Sequence, residues 1–152
     1  MSSTRRVANP IAVRRFSVLD KPDHEVVLTI GKPRPDPRSE GRDWMCSVLI
    51  EGIPKERRRR ICGIDAIQAL QLALDYARRE LDASGLDITW LEPHTPGDYG
   101  LPFSADTTYG VFFQHRLEQY MEQQTLEMGT AVTAVILERA RRRAARSKPK
   151  EE

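Results

Sequence analysis

The chain has 152 residues, 39% of them apolar and 30% charged, with a formal net charge of +2, which is the make-up of a globular protein able to bury roughly two-thirds of its unfolded surface. No apolar run approaches the ~20 residues of a membrane-spanning helix, and MSSTRRVANPIAV lacks the apolar core and cleavage site of a secretory leader. Two cysteines, Cys46 and Cys62, are too few for a disulfide framework or a zinc site, so a cytoplasmic protein without cofactor, metal or membrane partner is expected.

Residues 1–9 read as a flexible N-terminus. Ile11 to Leu19 is rich enough in β-branched and aromatic residues for a strand, with Phe16 and Val18 on one face and Val13 on the other. Asp20-Lys21-Pro22-Asp23 turns the chain. His24 to Ile30 returns it as a second strand, with Val26, Leu28 and Ile30 on one face. Gly31 to Arg42 holds three prolines, which remove amide donors, so it reads as a long basic loop without regular structure.

Trp44 to Glu51 alternates as a third strand, with Trp44, Cys46, Val48 and Ile50 on one side. After a turn at Ile53-Pro54, Glu56 to Cys62 is the fourth, and Cys46 falls opposite Ile61 or Cys62 depending on register. This last strand carries Arg57, Arg58, Arg59 and Arg60 in succession. Neighbours in a strand face opposite ways, so two guanidinium groups go to each side of the sheet. One pair then flanks the core helix with buried stems, and the density of charge also guards the strand against edge pairing.

The clearest element is a helix from about 65 to 84. Ile67, Leu70, Leu74, Ala77 and Leu81 recur at steps of three and four, with Ala66 and Ala73 beside them, which predicts one apolar stripe along the helix. Asp65 is a good N-cap, Gln68 completes a capping-box pattern, and Gly85 supplies a left-handed stop. Asp87 to Leu91 then reads as a strand returning to the sheet. Glu92 to Phe103 is a proline- and glycine-rich loop in which His94, Asp98 and Tyr99 invite an acid/base reading, though no nucleophile or metal set accompanies them.

From about Thr108 to Arg146 the chain is helical again. Phe113, Leu117, Tyr120, Gln124, Met128, Ala131 and Val135 form a stripe, and Gly129-Thr130 predicts a break or bend. The end is arginine-rich, and 147–152 reads as a disordered tail. The expected class is α+β: an antiparallel sheet of about four to five strands packed by one amphipathic helix. The expected organisation is a single domain over 10–128 with a helical extension over 129–146.

Charge is segregated along the chain. Residues 1–60 hold 14 Lys/Arg against 8 Asp/Glu, 61–137 hold 3 against 11, and 138–152 hold 7 against 3. Intramolecular balance between an acidic helical layer and a basic sheet explains this, as does a pair of surfaces meeting different partners.

The order of residues resembles a family of small bacterial proteins classed as a domain of unknown function. The pieces that carry the likeness are Ile30-Gly31-Lys32-Pro33, Trp44-Met45-Cys46, Gly63 to Leu70, Trp90-Leu91 and Gly97-Asp98-Tyr99-Gly100-Leu101-Pro102, with Phe113 and Arg116-Leu117-Glu118 as a closing helix. The resemblance spans roughly residues 24–124 and implies a meandering sheet with a packed helix, without an assigned activity or cofactor. The Arg57 to Arg60 run and the extension beyond about 128 depart from that pattern.

Catalysis finds little support, since the chain has no Gly-rich phosphate loop, no paired helical histidines and no nucleophile elbow. The first functional reading is a non-catalytic protein-interaction module, immunity- or antidote-like, with self-association through residues 109–137 as its simplest form. The second is nucleic-acid binding through the loop at 32–42, the arginine strand and the tail, with Arg34, Arg38, Arg57, Arg58, Arg59, Arg60, Arg141, Arg142 and Arg143 as contacts. The basic segments carry no exposed aromatic pairs for stacking bases, which counts against this second reading.

Overall fold

The structure is a computed structural model that describes residues 7–91, 95–102 and 109–146, the last four as backbone only. The chain divides into two compact units, 1–104 and 105–152. The first is α+β. Its strands are β1 (Pro10–Val18), β2 (Lys21–Gly31), β3 (Arg34–Pro35), β4 (Trp44–Glu51), β5 (Arg57–Gly63) and β6 (Ile88–Thr89), with helix α1 (Ala66–Asp82) between the last two. All pairings are antiparallel. β5 lines one edge of β4 throughout, β2 and β3 share its other edge, and β1 and β6 follow beyond β2.

The core lies between the sheet and α1. Phe16 and Val18 of β1, Val26, Leu28 and Ile30 of β2, and Cys46, Val48 and Ile50 of β4 are buried on one face, as their alternation predicts. The β4–β5 hairpin pairs Ile50 with Arg57 and settles the register, so Cys46 faces Ile61. Helix α1 is capped as its sequence requires. Asp65 accepts from the Gln68 amide at 2.8 Å, and Gln68 Oε1 accepts from the Ile64 amide, one residue before the cap, at 2.8 Å. Gly85 lies in the left-handed region at φ 71° just beyond the helix.

The centre of the stripe of α1 that faces the sheet differs in part from the expectation, which Ala73, Ala77 and Leu81 meet and Ile67 does not. The buried row is Ala69, Ala73, Ala77 and Leu81, while Leu70 and Leu74 flank it half-buried and Ile67 is 70% exposed. Small side chains let the helix axis approach the sheet, and the larger leucines fill the wedge at its side. Four other expectations change. The turn before β2 is shorter than read, since Lys21 and Pro22 already belong to the strand after Leu19-Asp20. The basic loop is not wholly irregular, because Arg34 and Pro35 pair with Met45 and Trp44. Val7 to Asn9 is tied down: Val7 is buried over Gly31, and the Asn9 carbonyl accepts from the Lys32 amide at 2.8 Å. The returning strand is only two residues long, pairing Ile88 and Thr89 with Val18 and Ser17.

The second unit is helix α2 (Val111–Arg146). It runs without interruption through Gly129, so of the expected break or bend the break is absent, and the boundary placed at about 128 falls inside one helix. Glycine weakens a helix by only about 1 kcal/mol, less than a continuous hydrogen-bonded ladder supplies on either side. Thr130 and Thr133 also return their hydroxyls to the carbonyls of Leu126 and Gly129, which satisfies the β-branched polar groups within the helix. Among the described residues no helix is long and apolar enough to cross a membrane. The ends expected to be loose, 1–6 and 147–152, lie outside the described residues.

Candidate functional site

The four arginines of β5 are divided as strand geometry demands. Arg57 and Arg59 stand on the helix side. Arg57 is ion-paired with Glu80 of α1, and Arg59 donates to the Tyr76 phenol, which itself donates to Glu80. Burial, more than the Glu80 carboxylate, raises the Tyr76 pKa. These two arginines therefore lie on the helix side, Arg57 half-buried and Arg59 exposed, with their heads in a small polar network.

Arg58 and Arg60 point to the other face, opposite Leu49 and Ser47. Arg34 joins that face through its pairing with Met45. This placement has a specific cause. Ile30 pairs with Val48 and Arg34 with Met45, so four steps along β2 and β3 oppose three along β4. One extra residue is therefore accommodated around Lys32-Pro33, a bulge that turns Arg34 away from the core. Asp36, nine-tenths buried beside them, accepts from the Arg38 amide at 3.0 Å and from the Arg38 guanidinium. That backbone hydrogen bond leads the causes holding the Asp36 carboxyl below its usual range, and Arg60 adds to it. Cys62 is exposed on this face, 4.0 Å from Asp36, whereas Cys46 is buried in the core and donates to the Gly31 carbonyl at 3.3 Å.

The bulge also shapes a cavity of about 330 Å³ lined by Ala8, Asn9, Lys32, Pro33, Arg34, Pro35 and Trp44. Trp44 packs against the core and is half-buried. Lys32 and Arg34 are exposed, and neither side chain has a hydrogen bond or ion pair among the described residues.

The loop that invited an acid/base reading is a latch. Tyr99 is buried against Phe16, edge to face at 6.1 Å, and its phenol donates to Asp82 at the end of α1. Burial, with Asp82, pushes its pKa up to about 12, so it is a neutral donor and no base. Arg14 clamps the loop by donating to the carbonyls of Tyr99 and Gly100 at 2.9 and 2.7 Å, and its guanidinium lies 4.0 Å over the Trp90 ring. Asp98 accepts from the Gly100 amide at 3.1 Å, an Asx turn. His94 lies outside the described residues. Arg141 and Arg142 belong to α2 in the other unit, Arg142 being paired with Glu138, and the Arg143 side chain is outside the described set.

The sequence model of a family described as a domain of unknown function, DUF6968, matches residues 12–103. The chain belongs to this family. The DUF6968 match begins ahead of the resemblance read at 24–124 and stops at the end of the Tyr99 loop, so Phe113 and Arg116 to Glu118 lie beyond it. It takes in the arginine strand, the bulge with Lys32 and Arg34, Trp44 and the latch, and leaves out α2. No curated protein and no solved structure gives a match. Sequence reasoning named Arg34, Arg58, Arg60 and the basic loop from residue 32 but did not join them with Trp44, because only the β3–β4 pairing brings that residue to the same cavity.

Proposed function

We propose that this chain is a protein-interaction module that associates with a second copy of itself through α2. One observation carries the reading. No charged residue falls between Glu127 and Glu138, and Met128, Val132, Val135, Ile136 and Leu137 are each more than half exposed. A helix apolar on all sides is normally a buried one. Charge favours an antiparallel second copy, since Glu118, Glu122 and Glu127 occupy the first half of α2, and Arg139, Arg141 and Arg142 the second. The same surface would serve a module that works by covering another protein, as an immunity or antidote protein does. Light scattering on the intact chain should give a dimer or larger at micromolar concentration, shifting to monomer in Val132→Glu/Ile136→Glu. A monomer for the unaltered chain would overturn the reading.

A second reading, contact with nucleic acid, is favoured by Arg34, Arg58 and Arg60 sharing one sheet face with Arg38 beside them. Salt-dependent binding of random-sequence single strands should then be lost in Arg58→Ala/Arg60→Ala and kept in Arg57→Ala/Arg59→Ala, whose side chains belong to the helix side.

A further inference from the structure

We propose that the cavity at the β-bulge seats one nucleotide, its base beside Trp44 and its phosphate against Lys32, with Arg34, which the Met45 pairing turns toward the opposite face, at the cavity rim. This rests on the nucleic-acid reading and assigns it a site. The size suits it: about 330 Å³ lies at the lower end of the range for small-ligand cavities. So does the chemistry, since the lining residues include Lys32, Arg34 and the aromatic Trp44 and no carboxylate. The acids next to Pro35 and Trp44 in sequence are already engaged. Asp36 is paired with Arg38, and Asp43 accepts from the Ser39 hydroxyl at 2.7 Å.

The walls are also preformed. Pro33 and Pro35 hold their own backbone torsions, and Trp44 is held by its packing on the core, so little ordering is required on binding. Asn9, in the left-handed region at φ 51°, closes the far side through its bond to the Lys32 amide. The objection from the sequence was that the basic segments lack exposed aromatic pairs for stacking. Tertiary pairing meets it with a single ring, because Pro35 opposite Trp44 brings that residue into the same cavity lining as Lys32 and Arg34. Stacking on an aromatic face with a basic rim is how single strands are held without a base code.

The chain has two tryptophans, Trp44 and Trp90, so in a Trp90→Phe background the emission reports on Trp44 alone. In that background a thymidine oligonucleotide should quench the emission, and Lys32→Ala/Arg34→Ala should weaken binding about tenfold or more with an unchanged thermal melt. Adenosine monophosphate is the second arm. Quenching by it as well assigns the site to free nucleotides, and quenching by the strand alone assigns it to a unit of a chain. Strand binding seen by anisotropy without quenching, or insensitive to the double variant, would overturn the cavity assignment and leave the nucleic-acid reading standing. No binding of either probe at low salt would end both.

Discussion

Gly63, the last residue of β5, lies so close to Ala69 of α1 that a Cβ on it would sit 2.5 Å from the Ala69 amide nitrogen and 2.9 Å from its Cα. The obstructing atoms are helix backbone, which cannot swing aside as a flexible side chain can. Gly63→Ala therefore lifts the first turn of α1 from the sheet, a form of overpacking that should cost about 2 kcal/mol. A urea melt checks it, and an unchanged midpoint would mean that the start of the helix has room to spare.

The latch gives a paired comparison. Gly85 and Gly100 both have positive φ, 71° and 56°, but nothing lies near a Cβ at Gly85, whereas at Gly100 it would collide with the Trp90 ring. Gly85→Ala should cost about 1 kcal/mol from the backbone alone. Gly100→Ala should cost about 1–3 kcal/mol more, since it adds the clash to the same torsional penalty. Equal losses in thermal melts would show that the loop moves off Trp90 freely.

Tyr99 separates packing from hydrogen bonding. Tyr99→Phe keeps the edge-to-face contact with Phe16 and removes only the donor to Asp82, which is exposed and can rehydrate. The expected loss is about 1 kcal/mol. Tyr99→Ala empties the end of the core and should lose about 3–5 kcal/mol. If Tyr99→Phe proved as damaging as Tyr99→Ala, the hydroxyl and not the ring would be what holds the loop.

Alkaline stability should decline from a buried thiol. Burial pushes the Cys46 pKa from 9.0 up to about 11. Above pH 9 the unfolded chain gives up this proton while the folded one keeps it, so the unfolded state binds fewer protons and stability falls as pH rises. The loss approaches about 1.4 kcal/mol per pH unit between the two values. Tyr99, held near 12 against an ordinary 10.0, adds a slope of the same sign above pH 10. Chemical denaturation of Cys46→Ala across pH 8–10 should show a flatter profile than the parent, and parallel profiles would refute the assignment.

Local chemistry explains why much of the fold was legible. A cap and a left-handed stop act within a few residues, so Asp65, Gln68 and Gly85 marked the limits of α1 without help from the rest of the chain. Strand alternation is equally local, which is why the division of Arg57 and Arg59 from Arg58 and Arg60 could be read directly. The depth of burial on α1 could not. Leucine and alanine both satisfy an apolar period, and only the closeness of the sheet at Gly63 shows that the alanines face it.

The candidate site was half visible for a similar reason. By itself the sequence determined the capped helix, the alternating strands and the split arginine run, since each depends on neighbours a few bonds away. Only the tertiary structure decided that Lys32, Arg34 and Trp44 line one cavity, that Tyr99 closes the core and that α2 continues without a break at Gly129. Those outcomes depend on one extra residue in a strand pairing, on a ring finding a gap far along the chain, and on the cooperativity of a long helix, none of which has a short-range signature.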